Sequence, residues 1–412
     1  MSSPPPWQLA IVCLLIALAV GLRFSKALRG YQFTVWILAA VAAAMVYPDH
    51  ILHIGGVDMR NKWLLLIIVQ LVMFGMGTQM SLKDFSGVVK SPRGVLVGIV
   101  CHFSVMPLVG LALTKMFHFP PEIAAGIILI GSCSSGLASN VMAYIAKSNL
   151  ALSVTVTAIT TMLAPLMTPL WMKLLAGQFI EVKFFSMMME IIKIVLVPIG
   201  AALLHDYLKH ASPRGCKTVR GIAVFGAAWL VFIAGGGWRL ILATAPQTLA
   251  AAIGVFGFLL AAVVAGVVFH WLTQRFDQIE KWMPKFSMFG IVYFTLVTTA
   301  AGRDSLLKIG GLLFLAAMLH NAAGYVFGYW LSRASGLDKH SARSVAFEVG
   351  LQNGSMASGV ASAMNMLGTM GLAAAIFSPW MNVSGSVLAN YWCKRPVKTK
   401  EEGATEREKV AV

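Results

Sequence analysis

Apolar runs long enough to cross a lipid bilayer recur along nearly the whole chain and are separated by short polar links. A membrane-spanning helix needs about 20 mostly apolar residues. Thirteen segments approach that length: 7–25, 31–48, 62–80, 93–116, 122–146, 150–175, 185–208, 219–242, 247–273, 284–302, 309–333, 342–366 and 371–393. The pattern predicts an all-α polytopic membrane protein with about thirteen spans, the first of them an uncleaved helix.

Composition and charge placement support a membrane protein and orient it. Apolar residues make up 58% of the chain and charged residues 12%, about half the charge density of a soluble domain. The net charge is +16, and most basic residues fall in alternate links, as the positive-inside rule requires when the N-terminus is outside. This predicts a cytoplasmic C-terminus with a disordered tail over 394–412. No basic helix or aromatic-interleaved basic patch occurs, so no nucleic-acid partner is expected.

A carboxylate interrupts the apolar run at 342–366. Glu348, Gln352 and Asn353 lie there with Gly350 and Gly354, and an intramembrane carboxylate usually marks an ion or substrate site. The glycines favour a break in the helix, which is tolerated only where the backbone is buried in protein or lines a cavity. The alternative is a structural Glu348 satisfied by Gln352 one turn later.

A second polar interruption, at 131–140, resembles the first. Ser135 to Val141 reads like Gly354 to Val360, and glycine-interrupted segments in corresponding halves are typical of secondary transporters. Ser153 and Thr157 follow on one face of the next helix. Hydroxyl, amide and carboxylate oxygens with a single acid suit a small monovalent cation, because divalent ions usually recruit more carboxylates.

Two other polar positions fall within predicted spans. Glu190 lies three residues before Lys193, a spacing that favours a structural ion pair. His102 lies in the middle of its span. It is either a hydrogen-bonded packing residue or a group that titrates and takes part in coupling.

Four stretches together resemble the bile acid:sodium symporter family. They are Ser139 to Tyr144, Ala151 to Thr157, Glu348 to Asn353 and Asn382 to Ser386. The similarity covers roughly 31–208 and 275–395. It implies inverted five-helix repeats that form panel and core domains, with two crossing discontinuous helices. The predicted organisation is an extra N-terminal helix (1–30), the first repeat and the start of the second (31–208), an inserted helix pair (209–274), the rest of the second repeat (275–393) and the tail (394–412).

The resemblance also implies site residues. The first sodium site would use Ser139, Asn140, Ser153, Thr157 and Glu348. The second would use Glu348, Gln352 and the carbonyls of Val349 and Leu351, with His102 where relatives commonly have a glutamine ligand. A neutral imidazole is a poor sodium ligand and an imidazolium would repel the ion, so the second site is expected to be altered, lost or proton-sensitive. Substrate would lie near Leu137, Asn353 and Asn382.

The sequence therefore predicts a sodium-coupled symporter of a small organic anion, such as a bile acid or a pantothenate-like carboxylate, working by alternating access. We expect it in the plasma or inner membrane, with sodium as coupling ion and no other cofactor. A proton-coupled or uncoupled carrier that uses His102 in place of the second sodium remains open, as does a membrane sensor. No catalytic motif favours an enzyme.

Overall fold

The computed structural model describes residues 6–24, 32–276 and 278–397. The predicted disordered tail therefore lies outside the described residues from 398 onward, as does the junction between the predicted first helix and first repeat at 25–31. Within these ranges the protein is almost entirely helical, with one hairpin of two-residue strands, β1 (His53–Ile54) and β2 (Val57–Asp58). Helices satisfy every backbone group internally, which the bilayer demands.

Nineteen α-helices follow one another in the described part of the chain. They are α1 (Pro6–Gly21), α2 (Gln32–Val46), α3 (Pro48–Leu52), α4 (Lys62–Gly77), α5 (Gly87–Lys90), α6 (Pro92–Phe117), α7 (Pro121–Ser132), α8 (Ala138–Ile145), α9 (Leu150–Trp171), α10 (Phe184–Ile191), α11 (Val197–His210), α12 (Pro213–Phe232), α13 (Trp238–Thr244), α14 (Gln247–Arg275), α15 (Gln278–Ala301), α16 (Arg303–Ala334), α17 (Lys339–Gly350), α18 (Gly354–Ala363) and α19 (Met370–Cys393). Single π-helical turns extend α9 and join α10 to α11 and α12 to α13.

Each of the thirteen predicted spans coincides with a helix or a helix pair, but they are of two kinds. Among the described residues, eight helices are long and apolar enough to cross a membrane, or nine if α4 and the segment Leu82–Lys90, bent by 63°, count as one span. The other predicted spans are the short α2, the less apolar α15 and the broken pairs α7–α8 and α17–α18. The all-α membrane fold is thus confirmed, and the apolar pattern overstates how many spans are continuous.

The helices divide into two compact units. The first holds the described residues of Met1–Lys83, Val182–Arg303 and Ser358–Gly368. In it α15 packs against α2 and α4, and α11 packs against α4 and α14. The inserted segment folds as α12, α13 and α14. A Cβ on Gly266 of α14 would lie 2.6 Å from the Ala201 carbonyl oxygen, so this glycine lets α14 approach the α11 backbone closely.

The second unit holds Asp84–Glu181, Asp304–Ala357 and the described residues of Thr369–Val412. Here α6 packs against α7 and α9, while α17 packs against α6, α8 and α9. A continuous helix, a broken helix and another continuous helix follow in the same order in α6–α9 and in α16–α19. This repeated order matches the expected pair of repeats.

The two broken helices cross at their breaks, as predicted. Ser135 and Gln352 form an antiparallel bridge. The Gly136 N–H donates to the Leu351 carbonyl at 3.0 Å, and the Asn353 N–H donates to the Ser134 carbonyl at 2.9 Å. Each break therefore satisfies backbone groups of the other, which is how irregular backbone can persist at membrane depth.

Candidate functional site

The candidate site is built around Glu348, which lies near the end of α17 and is completely buried. Ser153 and Thr157 lie one turn apart on α9 and donate their hydroxyls to different carboxylate oxygens of Glu348. Ser153 Oγ bonds Oε1, and Thr157 Oγ1 bonds Oε2 at 2.8 Å. No ion pair among the described residues includes Glu348. The carboxylate is therefore held by hydroxyls alone, without a basic side chain to balance it.

Helix α8 adds further oxygen atoms. Asn140 Oδ1 lies 3.0 Å from Ser153 Oγ and 3.2 Å from Thr157 Oγ1. Ser139 Oγ lies 3.2 Å from Thr157 Oγ1 and donates to the Gly136 carbonyl at 2.8 Å. The five residues predicted for the first sodium site therefore lie together.

The cluster gathers several oxygen atoms around one buried charge. Both oxygens of Glu348 accept from hydroxyls, and Oδ1 of the half-buried Asn140 lies 3.0 Å and 3.2 Å from the same two hydroxyl oxygens. No basic side chain among the described residues balances the carboxylate, and burying an unpaired charge is costly. A cluster of this kind is suited to a cation.

The residues predicted for a second sodium lie beside the first cluster, but most of their oxygens already have donors. The Val349 carbonyl accepts from Gln352 Nε2 at 2.7 Å. The Leu351 carbonyl accepts from the Gly136 N–H and lies 3.3 Å from Ser135 Oγ. The exception is Gln352 Oε1, which is buried and has no hydrogen-bond partner among the described residues. The Val349 carbonyl, with one donor, also keeps a lone pair that could face a cation.

His102 occupies a different position from the one expected of a ligand. Its Nδ1 lies 2.9 Å from the Glu348 carbonyl oxygen and its Nε2 lies 2.8 Å from the Cys133 carbonyl oxygen. Both carbonyls only accept, so neither ring nitrogen directs a lone pair toward a cation. The ring instead joins the carboxyl end of α17 to the carboxyl end of α7. Both bonds form together only in the doubly protonated ring, because a neutral imidazole has one N–H.

The predicted substrate residues are only partly assembled. Leu137 precedes α8 at the first break and is half-buried. Asn353 lies at the second break, where its Oδ1 accepts from the Met356 N–H at 3.0 Å. Asn382 is half-buried on α19 and donates to the Ser378 carbonyl of its own helix at 2.8 Å. The first two lie at the crossing breaks, whereas the Asn382 amide is engaged within α19.

A polar chain that the sequence analysis missed supports the second break. Asn321 of α16 donates its amide to the Gly350 carbonyl at 2.8 Å. Ser384 donates to Asn321 Oδ1 at 2.6 Å, and Tyr325 OH lies 3.2 Å from Ser384 Oγ. Asn321 could have been identified from the sequence, because it places an amide inside an apolar run. Ser384 belongs to the motif Asn382 to Ser386 that was already recognised.

The sequence is similar to those of known membrane transporters. The family model for the sodium bile acid symporter family matches residues 66–245. An uncharacterized sodium-dependent transporter, YocS of Bacillus subtilis, is 31% identical over 375 residues, covering 91% of this chain and 94% of the relative. The probable sodium/metabolite cotransporter BASS1 of Arabidopsis thaliana is 29% identical, covering 81% of this chain and 67% of its own. The human ileal sodium/bile acid cotransporter is 26% identical, covering 70% and 66%.

The assignment of the chain to a family rests on sequence similarity and not on overall structural similarity. A solved structure of the sodium proton antiporter MjNhaP1 from Methanocaldococcus jannaschii covers 94% of this chain at 12% identity, with a TM-score of 0.49, and a likeness this low adds nothing. The nearly full-length match to a sodium-dependent transporter is decisive. The chain is a multi-pass membrane protein that belongs to the sodium bile acid symporter family.

Proposed function

We propose that the protein is a sodium-coupled symporter that imports a small organic anion. The observation that carries the proposal is the buried carboxylate of Glu348, which accepts from hydroxyls of α9 and has no ion pair among the described residues. One sodium ion, bound by oxygens of Glu348, Asn140, Ser139, Ser153 and Thr157, supplies the missing charge. Hard oxygen ligands and a single carboxylate fit a monovalent cation better than a divalent one.

A second sodium has weaker support in the geometry. Gln352 Oε1 is an unpartnered buried acceptor, but the Val349 and Leu351 carbonyls already have donors. An ion there would share these carbonyls with their present donors, since each carbonyl oxygen has two lone pairs. We therefore propose that the site at Glu348 is the principal coupling site and that Gln352 contributes an unpartnered oxygen to a second ion.

The substrate is proposed to bind at the crossing breaks, near Leu137, Asn353 and Asn382. The breaks place the amino ends of α8 and α18 there, and helix amino ends attract anions. Sodium bound at Glu348 would order the same segments, so ion and anion favour each other's binding, and this coupling is reciprocal. Bile acids and pantothenate-like carboxylates are the proposed substrate classes.

Transport then follows an alternating-access cycle in which the loaded site opens to each side of the membrane in turn. The proposed location is the plasma or inner membrane, with the N-terminus outside and the C-terminus in the cytoplasm. The proposed organisation is the one expected from the sequence, with repeats over 31–208 and 275–393 and an insertion over 209–274. The order of continuous and broken helices supports it.

Proton coupling is the second candidate, and one observation favours it. Both nitrogens of His102 face carbonyl oxygens, an arrangement that a protonated ring satisfies completely. In that form His102 supplies the second positive charge beside Glu348. Uptake driven by a proton gradient without sodium would identify this mechanism.

Uptake into proteoliposomes tests the proposal. An inward sodium gradient should drive accumulation of a labelled bile acid or pantothenate-like carboxylate, and an equal potassium gradient should not. Thr157→Val keeps the side-chain shape but removes one hydroxyl from the site. It removes one of the proposed oxygen ligands of sodium and should raise the half-saturating sodium concentration roughly tenfold or more, because an ion–hydroxyl contact is comparable to a hydrogen bond to a charged group, about 1.5–3 kcal/mol.

Thr161→Val is the matched control. Thr161 is buried on the same helix, but among the described residues its hydroxyl bonds the Thr157 carbonyl alone, at 2.8 Å. This variant should leave sodium dependence near that of the wild type. Equal sodium affinities in the two variants, or uptake indifferent to sodium, would remove the proposed ion site.

A further inference from the structure

The inserted helices form one wall of a cavity of about 450 Å³ in the first unit. Residues of α12, α13 and α14 line one side, and residues of α4 and the α10–α11 helix line the other. The volume lies within the range of about 300–1,000 Å³ seen for small-molecule sites. We call this space the indole cavity, because Trp63, Trp229 and Trp238 line it.

Glycines at defined positions make room for the indoles. A Cβ on Gly254 would lie 3.3 Å from the Trp238 ring, and a Cβ on Gly257 would lie 3.1 Å from Trp229 Nε1. Gly236 has φ +101° and ψ 0°, and the helix is kinked there between α12 and α13. This left-handed conformation favours glycine. Trp238 follows directly after the kink.

The cavity is apolar except at one end, where Lys193 lines it. Lys193 lies over the Phe258 ring at 5.7 Å and donates to Glu190 at 2.9 Å, which confirms the ion pair expected from the sequence. Glu190 in turn lines a smaller cavity of about 180 Å³ together with Lys62 and Ser362. The Lys193–Glu190 pair thus links the apolar indole cavity, the apolar chamber, to the smaller cavity, the polar chamber. Two lysines and one glutamate give the polar end a net positive charge.

The two inserted helices that line this cavity are largely exposed. The most apolar windows of the two inserted spans, Pro213–Thr244 and Ala252–Arg275, are only 11% and 22% buried inside the protein. Such helices face lipid over most of their surface. Tryptophan rings are also characteristic of the boundary between acyl chains and headgroups.

We propose that the inserted helices create a binding site for an anionic membrane phospholipid. One acyl chain fills the indole cavity, and the phosphate lies between the adjoining chambers, where Lys193 and Lys62 attract it. Basic pockets between membrane helices bind anionic headgroups in this way. Ser362 belongs to α18, which begins at Gly354 beside the crossing breaks. The bound headgroup therefore contacts the helix that leaves the proposed ion site.

Lipid retention by the purified full-length protein tests the proposal. Native mass spectrometry would count lipids that remain bound after exchange into detergent with either phosphatidylglycerol or phosphatidylcholine. The double variant Lys62→Met/Lys193→Met should lose the preference for phosphatidylglycerol, by roughly fivefold per lysine. Ala261→Phe fills the indole cavity without altering a charge and should reduce the retained lipid. Lys217→Met, at an exposed site on α12 that lines neither cavity, is the control and should behave as wild type.

The expected result is preferential retention of phosphatidylglycerol by wild type and Lys217→Met, with loss of the preference in the double variant and loss of bound lipid in Ala261→Phe. Equal retention of the two lipids by the wild type would overturn the proposal. The proposal would also be overturned if the double lysine variant and Ala261→Phe both retained phosphatidylglycerol at the wild-type level. The measurement involves no transport, so its failure would leave the sodium-symport proposal standing.

Discussion

Replacing Glu348 with glutamine should stabilise the sodium-free protein and abolish its response to sodium. Burying an unpaired carboxylate costs several kcal/mol, and the two hydroxyl bonds from Ser153 and Thr157 offset only part of that cost. The glutamine amide has nearly the same shape and carries no charge. Without sodium, we therefore expect Glu348→Gln to unfold at a higher temperature than the wild type.

Sodium should raise the unfolding temperature of the wild type and leave that of Glu348→Gln unchanged. At a hundredfold excess over its dissociation constant, a ligand that binds only the folded state adds about 2.7 kcal/mol. For a chain of 412 residues, that corresponds to a shift of roughly 3 °C in the unfolding midpoint. A fluorescence-based thermal melt of the detergent-solubilised protein, titrated with sodium chloride against potassium chloride, measures both effects.

Glu190→Gln provides the matched control for the opening prediction. Glu190 is also an acid within a span, but it is paired with Lys193 at 2.9 Å. This variant should keep the sodium-induced shift. The reasoning fails if Glu348→Gln shifts with sodium as the wild type does, or if potassium stabilises the wild type equally.

Three further predictions concern other contacts. The neutral His102 ring has one N–H, so it donates to one of the two carbonyls that it faces. His102→Leu leaves that carbonyl without a donor and should lower thermal stability by roughly 1–3 kcal/mol. His102→Gln, with two amide N–H groups, should recover part of the loss. Asn321→Leu should cost about 1–3 kcal/mol by leaving the Gly350 carbonyl unpaired, and an unchanged melting temperature would refute that role. Asp58 is bonded to Arg60, which lowers the pKa of the Asp58 carboxyl below its ordinary value. The pair therefore stabilises the fold above about pH 4 and ceases to do so as pH falls through the lowered pKa. Because it is a surface pair worth less than about 1 kcal/mol, the small difference in melting temperature between wild type and Asp58→Asn should vanish on acidification.

The sequence predicts the membrane fold well and names the residues that the structure gathers around Glu348, for physical reasons. Apolar runs are a direct signal of spans, and glycine with polar residues inside a run is a direct signal of a break. Glu348, Ser153 and Thr157 were identifiable because polar groups are rare at membrane depth. Their meeting at one point depends on tertiary packing, which the four motifs indicated only through the family resemblance.

The sequence does not reveal which polar groups already have hydrogen-bond partners. The position of His102 in the sequence does not indicate the two carbonyls that its ring contacts, because they belong to helices far apart along the chain. Asn321 was overlooked for the same reason, since its partner Gly350 belongs to another helix. Hydropathy also cannot separate a continuous span from two half-helices, and α7 with α8 shows this clearly.

The broken helices have a consequence for how the chain enters the membrane during synthesis. Helices α7 and α17 have 12 residues each, well short of the roughly 20 that cross a bilayer, and α17 also carries Arg343 and Glu348. Neither is an efficient substrate for direct partitioning into lipid. The first break obtains backbone partners from Leu351 and Asn353, which are translated about two hundred residues later. Water or the insertion machinery must therefore shield the polar turn of the first half until the second half is inserted. The second half then supplies the backbone hydrogen-bond partners of that turn.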